Sequence, residues 1–425
     1  MVIKMKNIMC GISLLFKLFT AVCIVTVCNC SNRSKTVKQN MDYTLISINP
    51  QKAVNEMPAS DFFSDIDYIP LESNDDHLIG QITQMLIYQD KIYILDLQQH
   101  TVFCFQKDGK FLFEINKKGT GPGEYVELDN ISIDHDKNHL LLCNNSINKI
   151  LVFDLNGNYI QTYKIDCNAN VFTYIADGYS AFFGDFTANP KYEKEQNTPN
   201  LLITRLDEDV QKVQYTDLFF PSNINFGATV SPATCFSSYQ SGTVTLLEAY
   251  NDTIYHLLSN KVERAYYIDF GDMKKGDGFY SLLYNPVTDS KKIFEYETNH
   301  NVCNIIGLSE TSKNIFFVYY HNKTKFHFVF YDKSNKKIID IVKVYSPETG
   351  FAFPVNNDIN GGPFAMPYWT DENSFYGFVE PYELLTYKNA ILQSNAKNKD
   401  ELLKKLNNIV EDDNPVIVKM VPKIK

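Results

Sequence analysis

The chain is predicted to be all-β, a six-bladed β-propeller of four-stranded antiparallel blades, and three observations carry that expectation. Short apolar strands separated by polar turns recur along the body, with Asp-Gly and Asn-Gly pairs at matching places. Aromatic residues make up 14% of the chain, Tyr 27 and Phe 30 against a single Trp, and such rings suit a pleated, half-buried surface. Two isolated strand-like segments, residues 67–73 and 414–422, stand at opposite ends of the body, where they can complete one blade and close the ring. With 44% hydrophobic and 21% charged residues, the 425-residue chain has material for a large core and too little charge for disorder. Its net charge of −10, without a basic cluster, argues against nucleic acid as a partner.

Residues 1–29 read as an export signal. Lys4 and Lys6 precede an apolar run over 8–28 that Lys17 interrupts, so the run is too broken for a membrane span. It closes on Val27, Cys28, Asn29 and Cys30, which resembles the lipobox of bacterial lipoproteins in the looser form of gut Bacteroidetes. That resemblance implies Cys30 as the lipid-carrying first residue of the mature protein; an ordinary secretory signal cut nearby is the alternative. Residues 30–60 are polar without a sustained pattern and are expected to be a flexible tether, leaving 61–425 for the propeller. The membrane would be met through the N-terminal lipid alone, with the body on either face of the outer membrane. Beyond Cys30, the five cysteines (104, 143, 167, 235 and 303) are widely spaced and contain no CxxC pair. Buried free thiols are expected, with one disulfide left open.

The clearest blades lie at 88–115 and 134–165. Each runs turn, strand, turn, strand, and then a tight turn at Gly109 or Gly157 before another alternating strand. These glycines mark a period of about 48 residues and sit where a two-residue hairpin needs positive φ. A unit of three or four short strands cannot bury both faces alone, so such units stack radially. More worn units at 176–186, 242–271, 315–344 and 374–379 bring the number to six. The stretch 382–410 departs from this pattern. It follows Pro381, and Leu402, Leu403, Leu406 and Ile409 recur at helical spacing, predicting a helical insertion in the last blade, bent around 394–398.

Residues 69–73 (IPLES), 92–125 ending in GTGPGEY, 150–160 (ILVFDLNGNYI), 251–257 (NDTIYHL) and 414–420 (NPVIVKM) together resemble the six-bladed β-propeller lipoproteins of Bacteroides. These are related in architecture to NHL-type propellers. The resemblance spans about 64–421 and is thin between 187 and 240. It implies the fold and an exported compartment, and many members are encoded near glycan-uptake systems, but it implies no particular reaction.

Motifs for chemistry are sparse. Residues 119–125 are rich in glycine, but they lack the Lys-Ser/Thr pair of a phosphate loop, and Pro122 removes a backbone donor. The loop reads as a tight connection between blades, with Glu124 and Tyr125 as candidates for a ligand rim. Asp134 opens a calcium-like spacing, but His139 stands where Gly is needed and Asn145 where Glu is, so an ordinary turn is expected. The eight His form no metal-binding text, His321 and His327 do not suggest one site, and no GxSxG elbow is present. No cofactor and no metal are expected. The loop containing 351–354 and 361–369 concentrates Gly, Pro and aromatics, and Phe364, Tyr368 and Trp369 are its candidate ligand-contacting residues. Residues 252–254 resemble the Asp-Thr-aliphatic acceptor of Bacteroides O-glycosylation, placed in a turn.

These readings favour an exported, lipid-anchored, monomeric, non-catalytic binding module for a glycan or an envelope protein. Two alternatives stand beside it: a glycan-active lyase or hydrolase using residues converging on the central channel, and a structural envelope component.

Overall fold

The computed structural model describes residues 42–423 apart from 185–188, 207–213, 216–217, 222–235, 241, 286–287, 289, 323 and 346–352. Cys30 and Cys235 therefore lie outside the described residues. Six antiparallel meanders radiate from one axis. Blade 1 comprises Gln84–Tyr88, Lys91–Asp96, Thr101–Gln106 and Phe111–Ile115. Asn130–Asp134, His139–Asn144, Lys149–Asp154 and Tyr159–Lys164 form blade 2. Blade 3 begins with Val171–Ala176, Tyr179–Phe183 and Leu201–Arg205 and ends in the short strand Gln214–Tyr215. In blade 4 the strands are Phe236–Gln240, Thr243–Leu247, Thr253–Leu258 and Lys261–Asp269. Those of blade 5 are Cys303–Glu310, Asn314–His321, Lys325–Asp332 and Ile338–Val344.

The expected hairpin glycines do what their turns require. Gly109 has φ +94°, and a Cβ there would stand 2.0 Å from the Pro70 carbonyl oxygen, because this hairpin tip lies against the last blade. Gly157 has φ +83°, and its missing Cβ leaves room for the Phe113 ring.

Blade 6 is assembled from both ends of the body: Trp369–Thr370, Phe375–Val379, Val416–Pro422 and, outermost, Phe63–Pro70. Ile417 pairs with Ile69, Val418 with Tyr68 and Met420 with Ile66, so the ring closes through the strands expected to close it. Between blades the core consists of residues that alternate along each strand. Tyr93, Leu95, Leu140, Leu142 and Phe153 fill the space between blades 1 and 2, and Phe63, Phe316, Phe330 and Val418 that between blades 5 and 6.

The polar stretch expected to be a tether divides in two. Residues 30–41 lie outside the described residues, whereas Thr44–Ser47 lies parallel to the outermost strand of blade 4, with Ile46 opposite Ile268. The same segment then bridges Val54 to Ile341 of blade 5 and pairs Met57 with Val355 before it enters blade 6. Ile46 and Ile48 are buried, which is what holds this strap down and covers an otherwise open sheet edge.

Two helical regions interrupt the meanders. Helices α1 (Asp277–Leu283) and α2 (Ser290–Asn299) join blades 4 and 5; no sequence pattern foretold them, and α1 is seated by Phe279 and Leu283 against Ala249 and Tyr250. The expected insertion is present between the second and third strands of blade 6 as α3 (Pro381–Thr386), α4 (Lys388–Gln393) and α5 (Lys399–Leu406). Pro381 takes the first helical position, and the bend falls between α4 and α5. Leu384, Ile391, Leu402 and Leu406 turn inward onto the blade 5–blade 6 core.

Candidate functional site

The first strand of each blade faces the axis, and its inner edge has no neighbouring strand to pair with. Side chains supply the missing partners. The Gln84 carboxamide donates to the Ile131 carbonyl (2.7 Å) and accepts from the Ile131 N–H (2.8 Å), as a peptide group would. Asn130 Oδ1 accepts from Phe172 N–H, Ser132 Oγ from Tyr174 N–H, and Ser237 Oγ from Glu310 N–H. Ser309 Oγ donates to the Pro367 carbonyl. This stitching leaves a small axial cavity of about 330 Å³. Among its described lining residues Asp129 is the carboxylate and His135 the imidazole. Burial raises the Asp129 carboxyl despite the Asn145 N–H that it accepts, and burial also lowers the His135 imidazole. A glycosidase needs two carboxylates flanking one bond, and the described lining does not bring two together.

A larger cavity, about 960 Å³, opens between blades 5 and 6 beneath the helical insertion. Its floor is built from Phe326 and Phe328 of blade 5, Phe353 and Phe364 of the loop before blade 6, and Phe378 of blade 6. Phe353 stacks on Phe364 with ring centres 4.9 Å apart and lies 4.4 Å from Phe328. Hydrogen bonds to the outermost strand of blade 6 fix this loop. The Tyr68 hydroxyl donates to the Pro363 carbonyl at 2.6 Å, and Asn360 donates to the Ile66 carbonyl at 2.6 Å. Asn357 donates to the Tyr68 hydroxyl, Asn360 Oδ1 and the Gly362 carbonyl. Burial drives the Tyr68 phenol far above its usual range, so this hydroxyl stays a donor. Gly362 fits because a Cβ there would meet that hydroxyl at 2.4 Å.

The structure separates the sequence-selected residues. Phe364 and Tyr368 line the cleft, Tyr368 and Trp369 also line the axial cavity, and Tyr368 is 37% exposed. Trp369 is partly buried and stacks on Phe378 at 6.2 Å, so it packs as well as lines. Tyr125 is fully buried, its hydroxyl 2.7 and 2.9 Å from the His100 and Ile115 carbonyls and accepting from Lys117 N–H. Burial pushes that phenol up to about 12. Glu124 folds back to accept from Gly121 N–H at 2.8 Å. The 119–125 loop thus spends both side chains on its own architecture.

The remaining motifs resolve similarly. Asp134 Oδ1 accepts from the N–H groups of Asp136 and Lys137, an ordinary turn. Asp252 is buried against Lys275 at 2.5 Å, and Thr253 begins a strand, so the glycosylation-like text is not an open turn. Cys104, Cys143, Cys167 and Cys303 are buried free thiols. Burial pushes Cys104, Cys167 and Cys303 up to about 12. Adjacent strands bring the His321 and His327 rings to 6.2 Å, but among the described residues no group of three or more His, Cys, Asp or Glu is placed to hold a metal.

One cluster was invisible in the sequence. Glu310 is fully buried between blades 4 and 5, where Tyr266 Oη (2.7 Å), Lys333 Nζ (2.5 Å), His256 Nε2 (3.1 Å) and Thr245 Oγ1 converge on its carboxylate. Burial alone would raise this carboxyl; the His256 hydrogen bond and the Lys333 charge outweigh it and hold the group down at about 2. Its four partners come from three separate strands and a turn, so no spacing rule could have found it. Closed to solvent, it serves as an inter-blade tie.

Comparison with known proteins agrees with this architecture. A Bacteroides fragilis protein described as expected to be exported superposes with a TM-score of 0.69 at 16% identity, covering 90% of this chain and 100% of that one. A DUF4221-family member from Bacteroides vulgatus reaches 0.47 at 12% identity, covering 85% and 97%. No curated protein matches the chain. The six-bladed propeller fold is thus shared with the Bacteroides fragilis protein. A family model described as a domain of unknown function, DUF4934, matches residues 45–421, and the chain belongs to that family.

Proposed function

We propose that this propeller is a non-catalytic binding module of the bacterial envelope, held at the outer membrane by lipid on Cys30 and presenting the blade 5–blade 6 cleft to its partner. The observation that supports this reading is the cleft's prior organisation. Asn357, Asn360 and Tyr68 hold the aromatic loop in place, so binding need not order it first. Its volume suits a specific ligand or anchor, and its walls combine apolar rings with a few polar groups. Between the two partner classes expected, the Phe-rich floor suits an envelope protein segment better than a sugar chain, whose hydroxyls would call for more hydrogen-bonding groups. Likeness to a Bacteroides fragilis protein described as expected to be exported supports the compartment, as does the signal-like start of the chain.

A photo-reactive residue at Tyr368 is expected to cross-link one envelope protein in growing cells, while one at the exposed Lys164 on blade 2 does not. Equal labelling from both positions would overturn the reading. Mass spectrometry of the mature protein is expected to find acylated Cys30 at its amino terminus; an unacylated start elsewhere removes the lipid anchor.

A further inference from the structure

The chemistry of the cleft narrows its occupant. No Lys, Arg or His is among the described residues lining it, and its carboxylates are Asp358 and Glu383. Asp358 is already engaged, accepting from the Ser60 N–H at 2.8 Å and the Ser60 hydroxyl at 2.5 Å. Glu383 is not: its carboxylate stands half-buried on α3 with no hydrogen bond or ion pair to another described residue. Half-buried Glu380 stands one turn away, a second negative group nearby.

A carboxylate left without a partner beside an apolar wall is costly unless a cation meets it. The wall is aromatic, and ring faces attract ammonium groups. An anion would find no counter-charge here and two carboxylates against it. The protein's net charge of −10 also favours encounter with cationic partners.

Building on the binding-module reading, we infer that the cleft holds a protein segment in which a lysine ammonium, flanked by apolar side chains, meets Glu383 while its neighbours lie on the Phe353 and Phe364 rings. A protein segment fits better than a small amine because the apolar surface continues past the cavity. Tyr368 and Tyr387 on its rim are each 37% exposed, and Tyr382 and Leu392 on α3 and α4 are 55% and 51% exposed. An extended partner would cover these too.

The test is calorimetric titration of the purified full-length protein with three capped hexapeptides that differ at one position between two phenylalanines: lysine, norleucine or glutamate. The lysine peptide is expected to bind at least tenfold more tightly than the norleucine peptide, and the glutamate peptide not measurably. Glu383→Gln should bring the lysine peptide down to the norleucine affinity and leave the norleucine peptide unchanged. Phe353→Ala, with an unaltered circular dichroism spectrum, should weaken both. Equal affinities for lysine and norleucine, or a lysine preference that survives Glu383→Gln, would overturn the assignment. Failure of all three peptides would overturn it as well, and would leave the broader binding reading to stand or fall on the cross-link from position 368.

Discussion

Glu310 carries the sharpest prediction at the scale of single residues. Removing one member of a buried ion pair costs about 3–5 kcal/mol where the other charge is left without compensation. Glu310→Gln leaves the Lys333 ammonium, 18% exposed and still donating to the Thr311 carbonyl, without its carboxylate, and should lower urea stability by about 3 kcal/mol, the low end of that range. Replacing both Glu310 and Lys333 with apolar residues of similar size should recover much of the loss. The pH dependence has a definite sign. The folded carboxyl is depressed from 4.5 to about 2, so its contribution is complete above 4.5 and is lost as pH falls through about 2. A urea midpoint that stays flat between those values in the wild type, or that falls equally in Glu310→Gln, would contradict this. Tyr125 shows the reverse lesson. A Tyr after a Gly-rich loop reads equally well from sequence as a rim residue or a buried strut. The hydrogen-bond partners that decide between them, at 100, 115 and 117, are assembled by folding.

Among elements, those with strong periodicity were legible. The Asn-Gly and Asp-Gly hairpins announced themselves because φ > 0 restricts the residue type, and α5 did because Leu402 and Leu406 repeat on one face. Helices α1 and α2 escaped because they are short and α1 is seated by a pair of buried apolar side chains, too few to make a pattern. The strap escaped for a related reason: Thr44–Ser47 is four residues long and buries Ile46 alone, an alternation too brief to stand out from polar text. The loop before blade 6 was recognised by composition, but the Asn357–Asn360–Tyr68 lattice that shapes it joins residues almost 300 positions apart. Asn357→Ala removes three donor contacts from a buried site and should cost about 1–3 kcal/mol. It should also speed amide hydrogen exchange across 357–364 while blades 1 and 2 keep their protection. Uniform exchange throughout the chain would mean that the lattice does not set the loop's shape.

For the whole molecule, ring closure is the property on which the rest depends. The two closing strands were legible because each stood isolated at one end of the repeat array, with no neighbour of its own to pair with. Deleting 414–425 takes away the partner of both Phe375–Val379 and Phe63–Pro70. The truncated chain should lose its single cooperative thermal transition and expose the apolar blade 5–blade 6 core to a hydrophobic dye, whereas trimming only 424–425 should do neither.

That same seam imposes an order on biosynthesis. Phe63–Pro70 leaves the ribosome before the other five blades, and the strand it pairs with, Val416–Pro422, only after them. Until Val416–Pro422 has been made, Phe63, Ile66 and Tyr68 have no sheet to join. The nascent chain therefore stays an open, sticky array that cannot finish folding midway. This makes the nascent protein a natural client of holding chaperones.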